Sequence, residues 1–72
     1  MFFSSTKELG ELIKRVRKSQ GMTQSELAGA CGTGVRFIVD LENGKPTSEI
    51  EKVLLVATML GIRLEAKEPQ DN

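Results

Sequence analysis

Few side chains in this chain of 72 residues are suited to catalysis. It has no histidine and no tyrosine, and its acidic residues do not form a pair placed around a cleft. The single cysteine, Cys31, cannot form an internal disulfide and has no histidine to activate it, so we interpret it as a buried, inert thiol. The sequence therefore predicts no enzyme, no metal site and no cofactor.

Two short helices are predicted within residues 23–44. The capping box at 23–26 starts the first helix, and Gly32 offers the left-handed geometry that ends it after about two turns. Thr33 is predicted to cap the second helix, which ends at Asn43-Gly44. Apolar residues recur three apart in that helix, at Val35, Ile38 and Leu41. Two helices joined by a tight turn describe a helix-turn-helix, whose second helix can enter the major groove of DNA.

A further helix is predicted on each side of this motif. Capping boxes at 5–8 and 48–51 mark where the two helices start, and Gly21 and Gly61 mark where they end. The last helix is apolar over more than one stripe. This excess indicates burial on a second side, which a subunit interface would supply.

The motif residues resemble the XRE/Cro helix-turn-helix family. The resemblance depends on TQSELA at 23–28, Gly32, Ile38 and LENG at 41–44. Two further stretches are most similar to HipB-type antitoxin regulators: GKPT at 44–47 and LGIRLE at 60–65. The similarity spans roughly residues 6–66. It implies an all-α, lambda-repressor-like domain of four to five helices, with a short C-terminal β-strand that pairs across a dimer.

The resemblance assigns base reading to the second motif helix. Arg36 is the one residue there that can make a bidentate contact to guanine O6 and N7, although a contact to phosphate alone remains an alternative. The valines can touch thymine methyl groups, and Asp40 can accept from a cytosine amine or orient Arg36. The predicted base-reading set is Gly34, Val35, Arg36, Val39 and Asp40.

Phosphate contacts are expected at both ends of the motif. Gln24 matches the phosphate-binding glutamine of the family, and the amide N–H groups beside it add to that site. Asn43 and Lys45 lie in the turn after the second helix, where Asn43 also has a structural use as a C-cap. The predicted phosphate-binding set is Thr23, Gln24, Ser25, Asn43 and Lys45.

An internal ion pair is also implied by the resemblance. Arg17, four residues before Gly21, matches the family arginine that pairs with the glutamate of LEN, here Glu42. The alternative is two surface charges that never meet. Breaking a partly buried pair should cost more than the roughly 1 kcal/mol ceiling typical of exposed pairs.

The charge distribution favours DNA contact through the N-terminal part. The formal net charge is zero, but residues 1–46 carry seven basic and five acidic side chains, whereas residues 47–72 carry three and five. The only dense basic cluster comprises Lys14, Arg15, Arg17 and Lys18. That cluster has an equally simple interpretation as a solvated helix face.

The segment 62–66 alternates apolar and polar residues and is predicted to be a strand. No second strand is predicted, so pairing with the same segment of a second copy would satisfy its backbone groups. A tail packed on its own domain is the alternative. A chain this short buries only about 60% of its unfolded surface, which also favours a homodimer. The predicted dimer strand consists of Ile62, Arg63, Leu64, Glu65 and Ala66.

Four segments are expected: an arm at 1–5, the helix-turn-helix domain at 6–61, the dimerisation strand at 62–66 and a disordered tail at 67–72. Neither a signal peptide nor a membrane-spanning run is present in the sequence, so a cytoplasmic location without membrane contact is expected.

The predicted function is a sequence-specific repressor that binds a palindromic operator in double-stranded DNA as a homodimer. Resemblance to HipB-type antitoxins implies autoregulation of its own operon and a HipA-like kinase toxin as partner. A solitary XRE regulator without a toxin and an interaction adaptor that does not bind DNA remain alternatives.

Overall fold

The computed structural model describes residues 3–47 and 49–69, in which the only regular secondary structure is helical. The helices are α1 at Thr6–Ser19, α2 at Gln24–Cys31, α3 at Val35–Glu42 and α4 at Ile50–Met59. Helix α3 packs against both α1 and α2, and α4 packs against α2. None of these helices, within the described residues, has the length and hydrophobicity of a membrane span.

Every helix contributes one fully buried side chain to the core. These side chains have 0% exposure and come from α1, α2, α3 and α4 in turn: Ile13, Leu27, Ile38 and Val56. Cys31 is 7% exposed and belongs to the same cluster, where burial raises the pKa of its thiol. It packs as a small hydrophobic residue, as the sequence predicts.

Helix α2 begins and ends as predicted. The Glu26 amide donates to the Thr23 hydroxyl at 3.0 Å, and the Thr23 amide donates to the Glu26 carboxylate at 2.8 Å, which completes the capping box. Hydrogen bonding to the Glu26 carboxylate, from the backbone amide of Thr23 first and from its hydroxyl second, lowers the pKa of Glu26. Gly32 ends the helix in the left-handed region, with φ of 69°.

Thr33 does not cap α3, and that prediction is wrong. Its backbone N–H donates to the carbonyl of Ala28 at 3.0 Å, so Thr33 still belongs to the termination of α2. Its hydroxyl donates to the carbonyl of Gly34 at 3.2 Å. Gly34 is therefore the N-cap of α3, without a side-chain cap, and the helix starts one residue later than predicted.

The other two predicted capping boxes differ in detail. At α1 the Ser5 hydroxyl accepts from the Glu8 amide at 3.1 Å, but the Glu8 carboxylate accepts from the Ser4 amide at 2.8 Å rather than from that of Ser5. At α4 the N-cap is Glu49, whose amide donates to the Thr47 hydroxyl at 3.0 Å. Ser48, the predicted cap, lies outside the described residues.

The segment 62–66 has no regular secondary structure in the single chain, in contrast to the predicted strand. A strand is defined by hydrogen bonds to a neighbouring strand, and none lies within the described residues. The predicted alternation is nevertheless present. Ile62 and Leu64 are half-buried and pack on the core, whereas Arg63 and Glu65 are exposed.

Candidate nucleic-acid interface

A buried ion pair joins α1 to the end of α3. Arg17 Nε donates to Glu42 Oε2 at 2.6 Å, Nη2 donates to Oε1 at 3.0 Å, and the side chains are 7% and 1% exposed. Arg17 Nη1 also donates to the carbonyl of Met22 at 2.7 Å, just before α2. The hydrogen bonds to Glu42 raise the pKa of the Arg17 guanidinium. The predicted pair is thus present and fixes α3 relative to both α1 and the start of α2.

Gln24 is the third member of this network. Its Nε2 donates to Glu42 Oε1 at 3.0 Å, so the first residue of α2 is tied to the last residue of α3. A carboxamide nitrogen has two hydrogens, and this bond uses one of them. The second hydrogen makes no bond within the described residues, and Gln24, a predicted phosphate ligand, is partly exposed.

The predicted base-reading residues lie together on the outer face of α3 and its N-cap. Gly34, Val35 and Arg36 are exposed, and Val39 and Asp40 are partly exposed. The opposite face carries the core residues Ile38 and Leu41, at 0% and 5% exposure. Helical spacing therefore separates a surface face from a core face along these eight residues.

Charged side chains at the C-terminal end of this face contact one another. Asp40 Oδ1 lies 3.4 Å from Arg36 Nε, and Asp40 Oδ2 lies 3.7 Å from Lys45 Nζ. The Arg36 and Lys45 side chains are 83% and 64% exposed. Asn43 is exposed at the C-cap of α3, and Gly44 beside it has φ of 79°, as the predicted helix end requires.

Phe37 packs inward rather than along the surface of α3. Its ring is half-buried against the core, and Lys52 Nζ of α4 lies 5.6 Å from the ring centroid, within cation–π range. Lys52 also pairs with Glu49 at 2.8 Å.

The start of α1 lies against the turn after α3, a proximity that sequence spacing does not reveal. The Thr6 hydroxyl donates to the carbonyl of Gly44 at 2.7 Å, and a Cβ built on Gly44 would lie 2.6 Å from Lys7 Cα. Lys7 is exposed. Its backbone therefore lies beside Gly44, the residue between Asn43 and Lys45 in the chain, and no local pattern could have indicated a contact between residues so far apart.

The basic cluster of α1 is divided by the fold. Arg17 is buried in the ion pair, whereas Lys14, Arg15 and Lys18 are exposed. Among the described residues, no group of three or more His, Cys, Asp or Glu side chains is placed to hold a metal ion.

Comparison with known proteins gives a consistent result. Residues 13–66 match the family model HTH_3, described as Helix-turn-helix. The HTH-type transcriptional regulator y4mF of Sinorhizobium fredii is 52% identical over 62 residues, which cover 86% of this chain and 82% of that protein.

Two solved structures share the fold. A chain of the HipA-HipB-O2-O3 complex superposes with a TM-score of 0.83 at 24% identity, covering 97% of this chain and 99% of that one. The restriction-modification controller protein C.AhdI of Aeromonas hydrophila superposes with a TM-score of 0.72 at 24% identity, covering 81% and 84%. At this identity the likeness concerns the fold alone.

Proposed function

Since the chain belongs to the XRE-type helix-turn-helix family of transcriptional regulators, we propose that it is a repressor that binds a palindromic operator as a homodimer. The observation that carries the proposal is the network of Arg17, Glu42 and Gln24. This network fixes the exposed face of α3 relative to a side-chain amide at the start of α2. A base-reading face and a phosphate donor in fixed relation are what this mode of DNA recognition needs.

Under this proposal, phosphate contacts lie on two sides of the exposed face of α3. One group comprises Thr23, Gln24 and Ser25 at the start of α2, and the other comprises Asn43 and Lys45 after α3. Lys7 joins the second group because α1 begins beside Gly44. Each phosphate contact should contribute to affinity for every sequence alike and to the salt dependence of binding.

The homodimer is supported by an apolar surface on α4 that has no partner within the described residues. Its members are 42–63% exposed: Ile50, Leu54, Leu55 and Met59. The segment 62–66 follows α4, packs Ile62 and Leu64 on its own core and pairs with no strand within the described residues. Pairing of this segment with a second copy would form the predicted strand and cover the apolar surface in one two-fold contact.

A role as the antitoxin of a HipA-like kinase, acting in the cytoplasm on its own operon, is the finer form of the proposal. It rests on the resemblance to HipB-type regulators and on the fold shared with the HipA-HipB-O2-O3 complex. A solitary regulator is the alternative. Co-purification of a kinase-like protein with the tagged chain from its native cell would favour the antitoxin, and purification without one would favour the solitary regulator.

The decisive experiment is salt-titrated binding to the DNA upstream of its own gene, beside a scrambled duplex of equal length. We expect tighter binding to the upstream DNA, and affinity for both duplexes should fall steeply with salt. Half-sites should lie about 10 to 10.5 base pairs apart, centre to centre, or at a multiple of that distance. Equal, weak binding to both duplexes at low salt would instead support the interaction adaptor.

Substitution of Arg36 tests which residue reads bases. Arg36→Ala should remove about 1–3 kcal/mol of discrimination at one base pair of each half-site, because only this side chain of the face can contact guanine bidentately. The measurement is competition binding against a panel of singly substituted operators. Lys7→Ala is the control, and it should weaken binding to all panel members alike. A uniform loss with Arg36→Ala would mean that Arg36 contacts phosphate.

Disruption of the α4 surface tests the dimer. The double substitution L54K/L55K places two charges in the proposed interface, so the chain should sediment at half the dimer mass. Ala30→Lys introduces the same side chain at an exposed position of α2 and should leave the dimer intact. Sedimentation equilibrium distinguishes the two masses, and an unchanged mass for L54K/L55K would place the interface elsewhere.

A further inference from the structure

We propose that Asp40 is a specificity-determining residue, which acts by holding Arg36 for base contact and by weakening the phosphate contact of Lys45. This inference rests on the proposed DNA-binding function. The two oxygens of the Asp40 carboxylate face different cations, at 3.4 Å from Arg36 Nε and 3.7 Å from Lys45 Nζ. Asp40 is therefore the charged group that links the exposed face of α3 to the turn that follows it.

The contact with Arg36 orients the guanidinium for recognition. Asp40 engages Nε, and the two terminal nitrogens of Arg36 have no partner among the described residues; these nitrogens are the groups that match guanine O6 and N7. The Arg36 side chain is 83% exposed, so little else restrains its rotamers. Without the carboxylate, it would reach phosphate oxygens as readily as a base edge.

The contact with Lys45 opposes binding to arbitrary DNA. The Lys45 amide donates to the carbonyl of Asp40 at 2.9 Å, which keeps the ammonium group near the carboxylate across the turn. A carboxylate at the DNA surface repels phosphate and neutralises a phosphate-binding cation, and it lowers affinity for every sequence. Only an operator that engages Arg36 compensates for this loss.

The test compares Asp40→Asn with the unchanged chain on the operator, the panel of singly substituted operators and the scrambled duplex, each over a salt series. Affinity for the scrambled duplex should rise, and the slope of log K against log salt should steepen by at most about one unit as the phosphate contact of Lys45 strengthens. Discrimination at the base pair assigned to Arg36 should fall about tenfold. Asp40→Glu, which keeps the charge, should retain that discrimination.

Two controls separate this role from general electrostatics. Glu49→Gln also removes a carboxylate paired with a lysine, so it should raise affinity for the scrambled duplex without changing discrimination. In the Arg36→Ala background, Asp40→Asn should not alter discrimination further. Thermal unfolding of each variant shows whether the fold is intact.

Two results would overturn the inference. Unchanged discrimination with Asp40→Asn would show that Arg36 is oriented by other means, and a loss at a different, cytosine-containing base pair would show that Asp40 reads a base itself. If the proposed DNA-binding function itself were wrong, the result would differ, because the unchanged chain would then bind the operator and the scrambled duplex with equal affinity.

Discussion

Replacing Glu42 by alanine is expected to lower the free energy of unfolding by about 3–5 kcal/mol, the typical cost of breaking a buried ion pair. Glu42 is 1% exposed at its side chain and accepts hydrogen bonds from both Arg17 and Gln24. Its removal leaves a buried guanidinium without a counter-charge. Small domains have a total stability of roughly 5–15 kcal/mol, so much of the folded population could be lost. Urea denaturation at fixed protein concentration measures the change.

Two further variants define the cause of this loss. Glu49→Ala breaks an ion pair whose side chains are about half exposed, and its effect should stay below about 1 kcal/mol. The apolar pair R17M/E42L should recover most of the lost stability, because neither charge is then left buried. DNA affinity should not recover with it, since Gln24 loses the acceptor that positions its amide. A cost below 1 kcal/mol for Glu42→Ala would mean that the pair acts like a surface pair.

Gly10→Ala is the second substitution with a large expected effect. A Cβ on Gly10 would overlap the carbonyl oxygen of Leu41 and lie 2.7 Å from that of Glu42. Both are backbone atoms of α3, so α1 would have to move away as a unit. We expect a loss near the upper end of the roughly 1–3 kcal/mol typical of overpacking. In a domain of this size that lowers the melting temperature by roughly 10–20 °C.

The same substitution at another helical glycine should raise stability instead of lowering it. Gly29 lies within α2 with nothing within 4 Å of the position of a Cβ. Gly29→Ala should therefore raise stability by about 0.5–1 kcal/mol through the lower entropy of the unfolded chain. Thermal melts of the two variants, followed by circular dichroism, test both signs. Equal effects at the two sites would contradict the close contact between α1 and α3.

The sequence predicts the parts of this fold that depend on neighbouring residues. The capping box at 23–26 and the left-handed Gly32 locate α2 because the bonds involved span only a few residues. Thr33 does not cap α3 because its backbone amide donates to the carbonyl of Ala28 in α2. The sequence does not show to which of two helices a residue in the turn between them is hydrogen-bonded.

Features that depend on distant contacts could not be predicted from local patterns. From the sequence, Gly10 is a glycine that should destabilise α1. The structure shows that the backbone of α3 packs against it. Lys7 enters the candidate site only because α1 starts beside Gly44. The pairing of Arg17 with Glu42 came from resemblance to the family, since residues 25 apart share no local signal. The strand at 62–66 would need a second chain to form its hydrogen bonds.

The core, to which each helix contributes one fully buried side chain, should also affect how fast the protein is degraded in a cell. Because each helix contributes a fully buried side chain to one shared cluster, we expect the four helices to unfold together and not one at a time. A protease that needs an unfolded segment within the helices must wait for the whole domain to open. The lifetime of the protein should then follow the global unfolding equilibrium, rather than the fraying of any one helix.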